Sequence, residues 1–198
     1  VGRGNTSFVD QNLSPGTYFY RVQASTQGVL SDWAATANVT LVGNTEPTVP
    51  PVDGSGLNLL NVGFRVYTTQ TGSDARGFIS RDGGSVSLMN NLWAATTTTF
   101  EITSSAVLSF DYSSDVSGEI HGIGMEEDDQ PSQDRIFKLG GTQDWGNTDY
   151  EYTGGGDIQR FDIPVGQYYT GDMRLVIVND NDAGSGNSGY FSNIKIAN

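Results

Sequence analysis

Short runs in which apolar and polar residues alternate recur along this chain, each closed by glycine, proline, asparagine or aspartate. Period-two alternation marks a β-strand with one buried face, and small turn residues mark where it stops. The pattern predicts strands at 59–68, 77–82, 85–95, 98–103, 106–114, 119–126, 135–141, 158–165, 173–180 and 190–197. No window repeats apolar residues at helical spacing, and no internal repeat is long enough for a solenoid. Many short strands in this rhythm predict an all-β fold, an antiparallel β-sandwich of jelly-roll-like winding. Nearer the start, Tyr18, Tyr20, Val22 and Ala24 alternate with Phe19, Arg21 and Gln23, with shorter strands expected near Ser7–Gln11 and Ala37–Val42. Between the two regions lies GNTEPTVPPVDGSG, whose prolines and glycines favour an extended linker. The expected organisation is a three-stranded segment at 1–42, a linker at 43–56 and a β-sandwich at 57–198.

Composition agrees with strands: 26 Gly, nine Tyr and nine Phe, and no Ala/Leu/Glu/Lys-rich stretch to build helices. The absence of cysteine excludes disulfides and thiolate metal sites, so packing or oxygen-bound ions must supply stability. A formal charge of −13 repels phosphates and anionic bilayers, and no apolar run approaches the roughly 20 residues that cross a bilayer. Neither nucleic acid nor membrane is therefore an expected partner. Acidity concentrates after residue 54, where 19 of the 23 carboxylate side chains lie. Acidic, lysine-poor surfaces suit salty external water, consistent with a secreted, extracellular protein.

Two acidic loops, 126–134 and 179–189, combine carboxylates with small and amide residues. Calcium takes six to eight oxygens from such loops, which makes Asp180 and Asp182 the first candidate ligands, followed by Glu126 and Asp128. A solvated acidic turn explains each loop equally well. Trp145, Tyr150 and Tyr152 lie in a Gly-rich polar loop, with Tyr168 soon after. Sugar rings stack their apolar faces on aromatic side chains while amides and carboxylates bind the hydroxyls, a task open to Gln143 and Asp149. The alternative for Trp145 is a plug capping one end of the sandwich; Trp93, inside an apolar run, is expected in the core.

Catalytic parts are scarce. There is one histidine, His121, no cysteine and no Gly-x-Ser-x-Gly elbow, so the usual nucleophilic triads lack their members. Glu119 and His121 share a strand face and could act as a base pair or as two metal ligands, although a buried, hydrogen-bonded histidine accounts for the position as well. Phosphate-cradling fingerprints are absent.

Two stretches resemble known families. NLSPGTYFYRVQAST followed by GVLSDWAATANVTL is similar to the last three strands of a fibronectin type III domain, with Tyr18 at the position whose hydroxyl bonds back to the turn. A whole domain of that family needs about 90 to 100 residues, so residues 1–42 are expected to be a partial one. Its uncovered sheet would call for a neighbouring domain or subunit. VLSFDYSSDVSGEIHGIGMEEDD, RIFKLGGTQDWG, IPVGQYYTGDMRLVIVNDND and YFSNIKI together resemble a carbohydrate-binding-module-like sandwich of secreted, often marine, bacterial polysaccharide-degrading enzymes. That resemblance implies recurrent positions at Glu119, His121, Gly122, Gly124, Asp128, Arg135, Trp145, Asn179, Asp180 and Asp182; Glu126 stands where an aspartate is expected. It implies a non-catalytic, polysaccharide-binding accessory module, calcium-stabilised, attached to a glycoside hydrolase, polysaccharide lyase or peptidase. The competing expectation is a structural subunit of an extracellular fibre or surface assembly that completes a neighbour's sheet by strand complementation.

Overall fold

A computed structural model describes residues 56–67 and 70–198, and N-terminal to them the backbone of six short strands together with Ser31. The chain divides into two units, Val1–Thr48 and Val49–Asn198. In the first, β1 (Gly16–Tyr18) pairs with β6 (Val39–Leu41), β2 (Arg21–Val22) with β5 (Ala34–Ala35), and β3 (Ser25–Thr26) with β4 (Val29–Leu30), all antiparallel. The strand expected near Ser7–Gln11 and most of the 43–56 segment lie outside the described residues.

The second unit is an antiparallel β-sandwich. Its strands are β7 (Phe64–Val66), β8 (Arg76–Ile79), β9 (Ser85–Met89), β10 (Leu92–Thr96), β11 (Phe100–Ile102), β12 (Val107–Ser113), β13 (Ile120–Glu126), β14 (Ile136–Gly140), β15 (Gln159–Ile163), β16 (Gly171–Asp180) and β17 (Ser188–Ala197). One sheet runs β14-β13-β16-β10-β7, with β11 also paired to β16; the other runs β15-β12-β17-β9-β8. Most connections cross between the sheets, the winding expected of a jelly-roll-like sandwich. The strict alternation of β12 puts Leu108, Phe110 and Tyr112 inward. They meet Ile123, Met125, Leu175, Ile177 and Phe191 in the core between the sheets.

Two expected elements differ. Residues 59–68 do not form one strand, because Leu59–Val62 is a single helical turn, α1. The Asn58 side chain caps it by accepting from the Leu60 and Asn61 N–H groups, and Leu59 and Val62 are buried at helical spacing. Residues 85–95 form two strands in different sheets, β9 and β10, separated at Asn90, whose φ of 59° lies in the left-handed region that asparagine tolerates.

The six-stranded sheet is buried on both faces. Its outer side carries a second apolar layer of Tyr67, Trp93, Ala95, Ile120, Ile136, Val176 and Val178, with Trp145 packed against it. This explains why β16 reads Leu-Val-Ile-Val without alternation: a strand covered on both sides has no solvent-facing positions. Trp93 is buried as expected, but in this outer layer rather than between the sheets.

Candidate functional site

The carboxyl end of β12, the start of β13 and the end of β14 meet at one tip of the sandwich, where the loops after β12 and β14 leave an open cleft of about 350 Å³. Gly140 and Gly141 form its floor, Ser114, Asp115 and Ser117 one wall, and Glu151, Tyr152, Thr153 and Gly155 the other. A second hollow of about 240 Å³ adjoins it across Gly140, Gly141 and Glu151 and reaches Lys138 and Thr148. Gly141 must be glycine: its φ is +106°, and a Cβ there would lie 2.2 Å from the Glu119 carbonyl oxygen.

Tyr112 and His121 line the deep side of this cleft. The Gly118 N–H donates to His121 Nε2 at 2.7 Å, so that nitrogen is the acceptor and Nδ1 carries the ring proton. Nδ1 then donates to the Tyr112 hydroxyl at 2.7 Å. Burial lowers the His121 pKa to about 4, so the imidazole is neutral at physiological pH, and burial raises that of the Tyr112 phenol. With both nitrogens engaged, His121 has none left to act as a general base or metal ligand.

The wall opposite is held rigidly. The Tyr152 N–H donates to the Leu139 carbonyl at 2.8 Å, and its hydroxyl donates to the Asp157 carbonyl while accepting from the Gly156 N–H. The Tyr152 ring meets Tyr112 edge-on at 5.0 Å. By contrast, the side chains of Asp115, Ser117 and Glu151 have no hydrogen-bond partner among the described residues. Uncommitted polar groups on a fixed frame form a site ready to bind hydroxyls.

The aromatic and polar residues picked from the sequence divide among four places. Tyr152 lies in the cleft. Tyr150 and Tyr168 both pack edge-on against Phe137, at 5.6 and 4.9 Å, and the Tyr168 hydroxyl donates to Asp149 at 2.8 Å. That bond to a carboxylate raises the Tyr168 pKa to about 12. Trp145 is half-buried edge-on against Trp93, 5.5 Å between centroids. Gln143 donates to the Glu119 carboxylate at 3.1 Å.

The four carboxylates picked as calcium ligands also separate, lying toward opposite ends of β13, where Ile120 pairs with Asp180 and Glu126 with Arg174. Asp180 is buried and accepts the Trp93 indole N–H at 2.8 Å; burial raises its pKa, the indole bond opposes that, and the Asp182 and Glu119 charges add to it. Asp182 lies beside Glu119, whose Oε2 takes the Asp182 and Ala183 N–H groups. The two neighbouring carboxyls shift each other, a side-chain hydrogen bond between them raising the pKa of Asp182 and lowering that of Glu119. Glu126 is fully buried: Oε1 accepts the Ser132 N–H at 2.6 Å, and Arg135 Nη1 lies 3.7 Å from Oε2. Asp128 accepts the Gln130 N–H. Among the described residues, no group of three or more carboxylates or imidazoles is placed to hold a metal ion. Of the four, Asp180 and one oxygen each of Glu126 and Asp128 accept protein donors, while Glu126 Oε2 is buried without a hydrogen-bond partner.

The sequence reading missed the cleft's own polar groups, Asp115, Ser117 and Glu151. Their signal was their setting: each lies in a Gly- or Ser-rich loop directly after a predicted strand or aromatic run.

No family model matches the chain, and no curated protein matches it. A solved structure described as "Structural basis for the promiscuous specificity of the carbohydrate-binding modules from the beta-sandwich super family" is similar to it. The identity is 15%, over 93% of this chain and 75% of that chain, with a TM-score of 0.38.

Proposed function

We propose that the sandwich is a non-catalytic polysaccharide-binding module of a larger secreted bacterial protein, and that the tip cleft is where it holds the glycan. One observation supports this above the others: Asp115, Ser117 and Glu151, without hydrogen-bond partners among the described residues, line one cleft with Gly140, Gly141 and Tyr152. Carboxylates and hydroxyls in fixed positions bind sugar hydroxyls, while the tyrosine offers an apolar edge to a ring face. Two acidic walls in a chain of charge −13 favour neutral glycans over uronate or sulfate polymers. The engaged, neutral His121 supports a binding rather than a catalytic role.

Titration calorimetry against barley β-glucan, konjac glucomannan, laminarin and agarose, with alginate as the acidic contrast, tests the proposal. Binding of a neutral glycan that weakens roughly tenfold in Glu151→Ala or Asp115→Ala is expected, the loss of one or two charge-assisted hydrogen bonds. Unchanged affinity in both variants would move the site elsewhere.

A second reading, the structural subunit, is favoured by a separate feature. The edge strands β7 and β8 leave an apolar groove of about 280 Å³ lined by Phe64, Val66, Ile79, Leu88 and Leu92, where a strand of a second copy could add. Light scattering that shows a monomer at high concentration rules this out.

A further inference from the structure

We propose that a bound glycan does not end in the tip cleft but runs out of it across the outer face of the five-stranded sheet, over Tyr190 and Phe78. This rests on the glycan-binding reading above and adds where the rest of the chain lies.

Strand register sets the path. Phe78 pairs with Ser87, Ser87 with Tyr190, and Tyr190 with Ser113, giving one row that crosses β8, β9, β17 and β12. All four side chains point outward, because their neighbours Ile79, Val86, Leu88, Phe191 and Tyr112 face the core. Phe78 is 58% exposed, too much for a packing role. Strands lie about 4.8 Å apart, so two rings separated by one strand stand about 9.6 Å apart along the row. An extended, equatorially linked glycan presents the same ring face at every second residue, a repeat of that size. The serines between the rings are small enough to let a chain lie close and can bond its hydroxyls.

Charge and continuity identify the occupant. The row itself carries no charged side chain; beside it lie Arg160, paired with Asp111 and Asp162, and Arg76, two positions before Phe78 on β8, whose guanidinium donates to the Ser73 and Ala75 carbonyls. An uncharged, hydroxyl-rich polymer fits a row of rings and serines. The row also ends at the cleft. Ser113 is followed by Ser114 and Asp115 of one wall, and Tyr112 pairs with Gln159, whose side chain accepts the Thr153 N–H of the other wall. Continuity of the two surfaces means that affinity grows with chain length.

The test is a length series of oligosaccharides from whichever neutral glucan or mannan binds, di- and trisaccharides against hexasaccharides and polymer, with the wild type, Phe78→Ala, Tyr190→Ala and Glu151→Ala. Phe78 is exposed and Tyr190 half-buried, and circular dichroism checks that each variant keeps its fold. Expected are tighter binding of the longer oligomers and a roughly five- to tenfold loss for polymer in Phe78→Ala and Tyr190→Ala, with di- and trisaccharide affinity unchanged. Equal wild-type affinity for short and long ligands, or no effect of either ring on polymer, would overturn the extended path while leaving the cleft as the site. Absence of binding to any glycan in the panel would overturn both readings.

Discussion

Trp93 donates its indole N–H to Asp180 at 2.8 Å, joining two buried side chains 87 positions apart on the outer face of the six-stranded sheet. The bond satisfies a carboxylate that burial would otherwise leave without a donor. In Trp93→Phe the ring volume is largely kept but the donor is lost, and a destabilisation of about 2 kcal/mol at neutral pH is expected. The loss should shrink in acid: burial raises the Asp180 pKa, so the carboxyl is protonated there before ordinary aspartates and needs no donor. Urea unfolding at neutral and acid pH measures this. Trp145→Ala, which removes only the edge-on neighbour of Trp93, should lower stability by a similar amount at both.

The same bond decides what metal removal does. Asp180 accepts from Trp93, and among the described residues no three carboxylates come together as a calcium shell would need. Melting temperatures in EDTA and in millimolar calcium are expected to coincide. A calcium-dependent rise that disappears in Asp182→Asn would restore the acidic 179–189 loop as a cation site.

Strand positions were legible because one-sided burial writes itself as alternation, as in β12 at Val107–Ser113. The break at Asn90 and the cap at Asn58 were written in the sequence too, as asparagines inside apolar runs, but the longer apolar run masked them. What could not be read was which side chains were already occupied. Whether Asp180 is a ligand or a partner of Trp93, or Trp145 a platform or a neighbour of Trp93, depends on contacts between strands distant in the chain. The cleft residues were missed for the converse reason: Asp115 and Glu151 matter because, among the described residues, no hydrogen-bond partner claims them.

Glu126 provides a stability prediction with a definite sign. Burial, only partly offset by the Ser132 N–H and Arg135, raises its pKa from 4.5 to about 7. The fold therefore prefers the protonated acid, and the Glu126 contribution to stability is fully present below about pH 4.5 and lost as pH rises to about 7. Glu126→Gln keeps the acceptor for Ser132 and removes the titration. Above neutrality it should be more stable than the wild type, by up to roughly 3 kcal/mol. Urea midpoints across this range check it, and a wild type that is the more stable protein above neutrality would contradict it.

His121 works in the opposite direction over nearly the same range. Burial lowers its pKa from 6.5 to about 4, so the unfolded chain takes up a proton that the folded imidazole refuses. Its contribution is whole above about pH 6.5 and is lost as pH falls to about 4, whereas that of Glu126 grows on acidification from about 7 to 4.5. The two contributions therefore oppose each other between about pH 4.5 and 6.5, each offsetting the other in the wild type. Each single variant breaks the balance in its own direction. Glu126→Gln should lose stability on acidification through this window, and His121→Gln should gain it, whatever the fixed cost of the lost Tyr112 and Gly118 bonds. NMR of the folded wild type supplies the direct check: the His121 ring signals should hold their neutral positions until the pH nears 4, and a midpoint near 6.5 would remove the opposition.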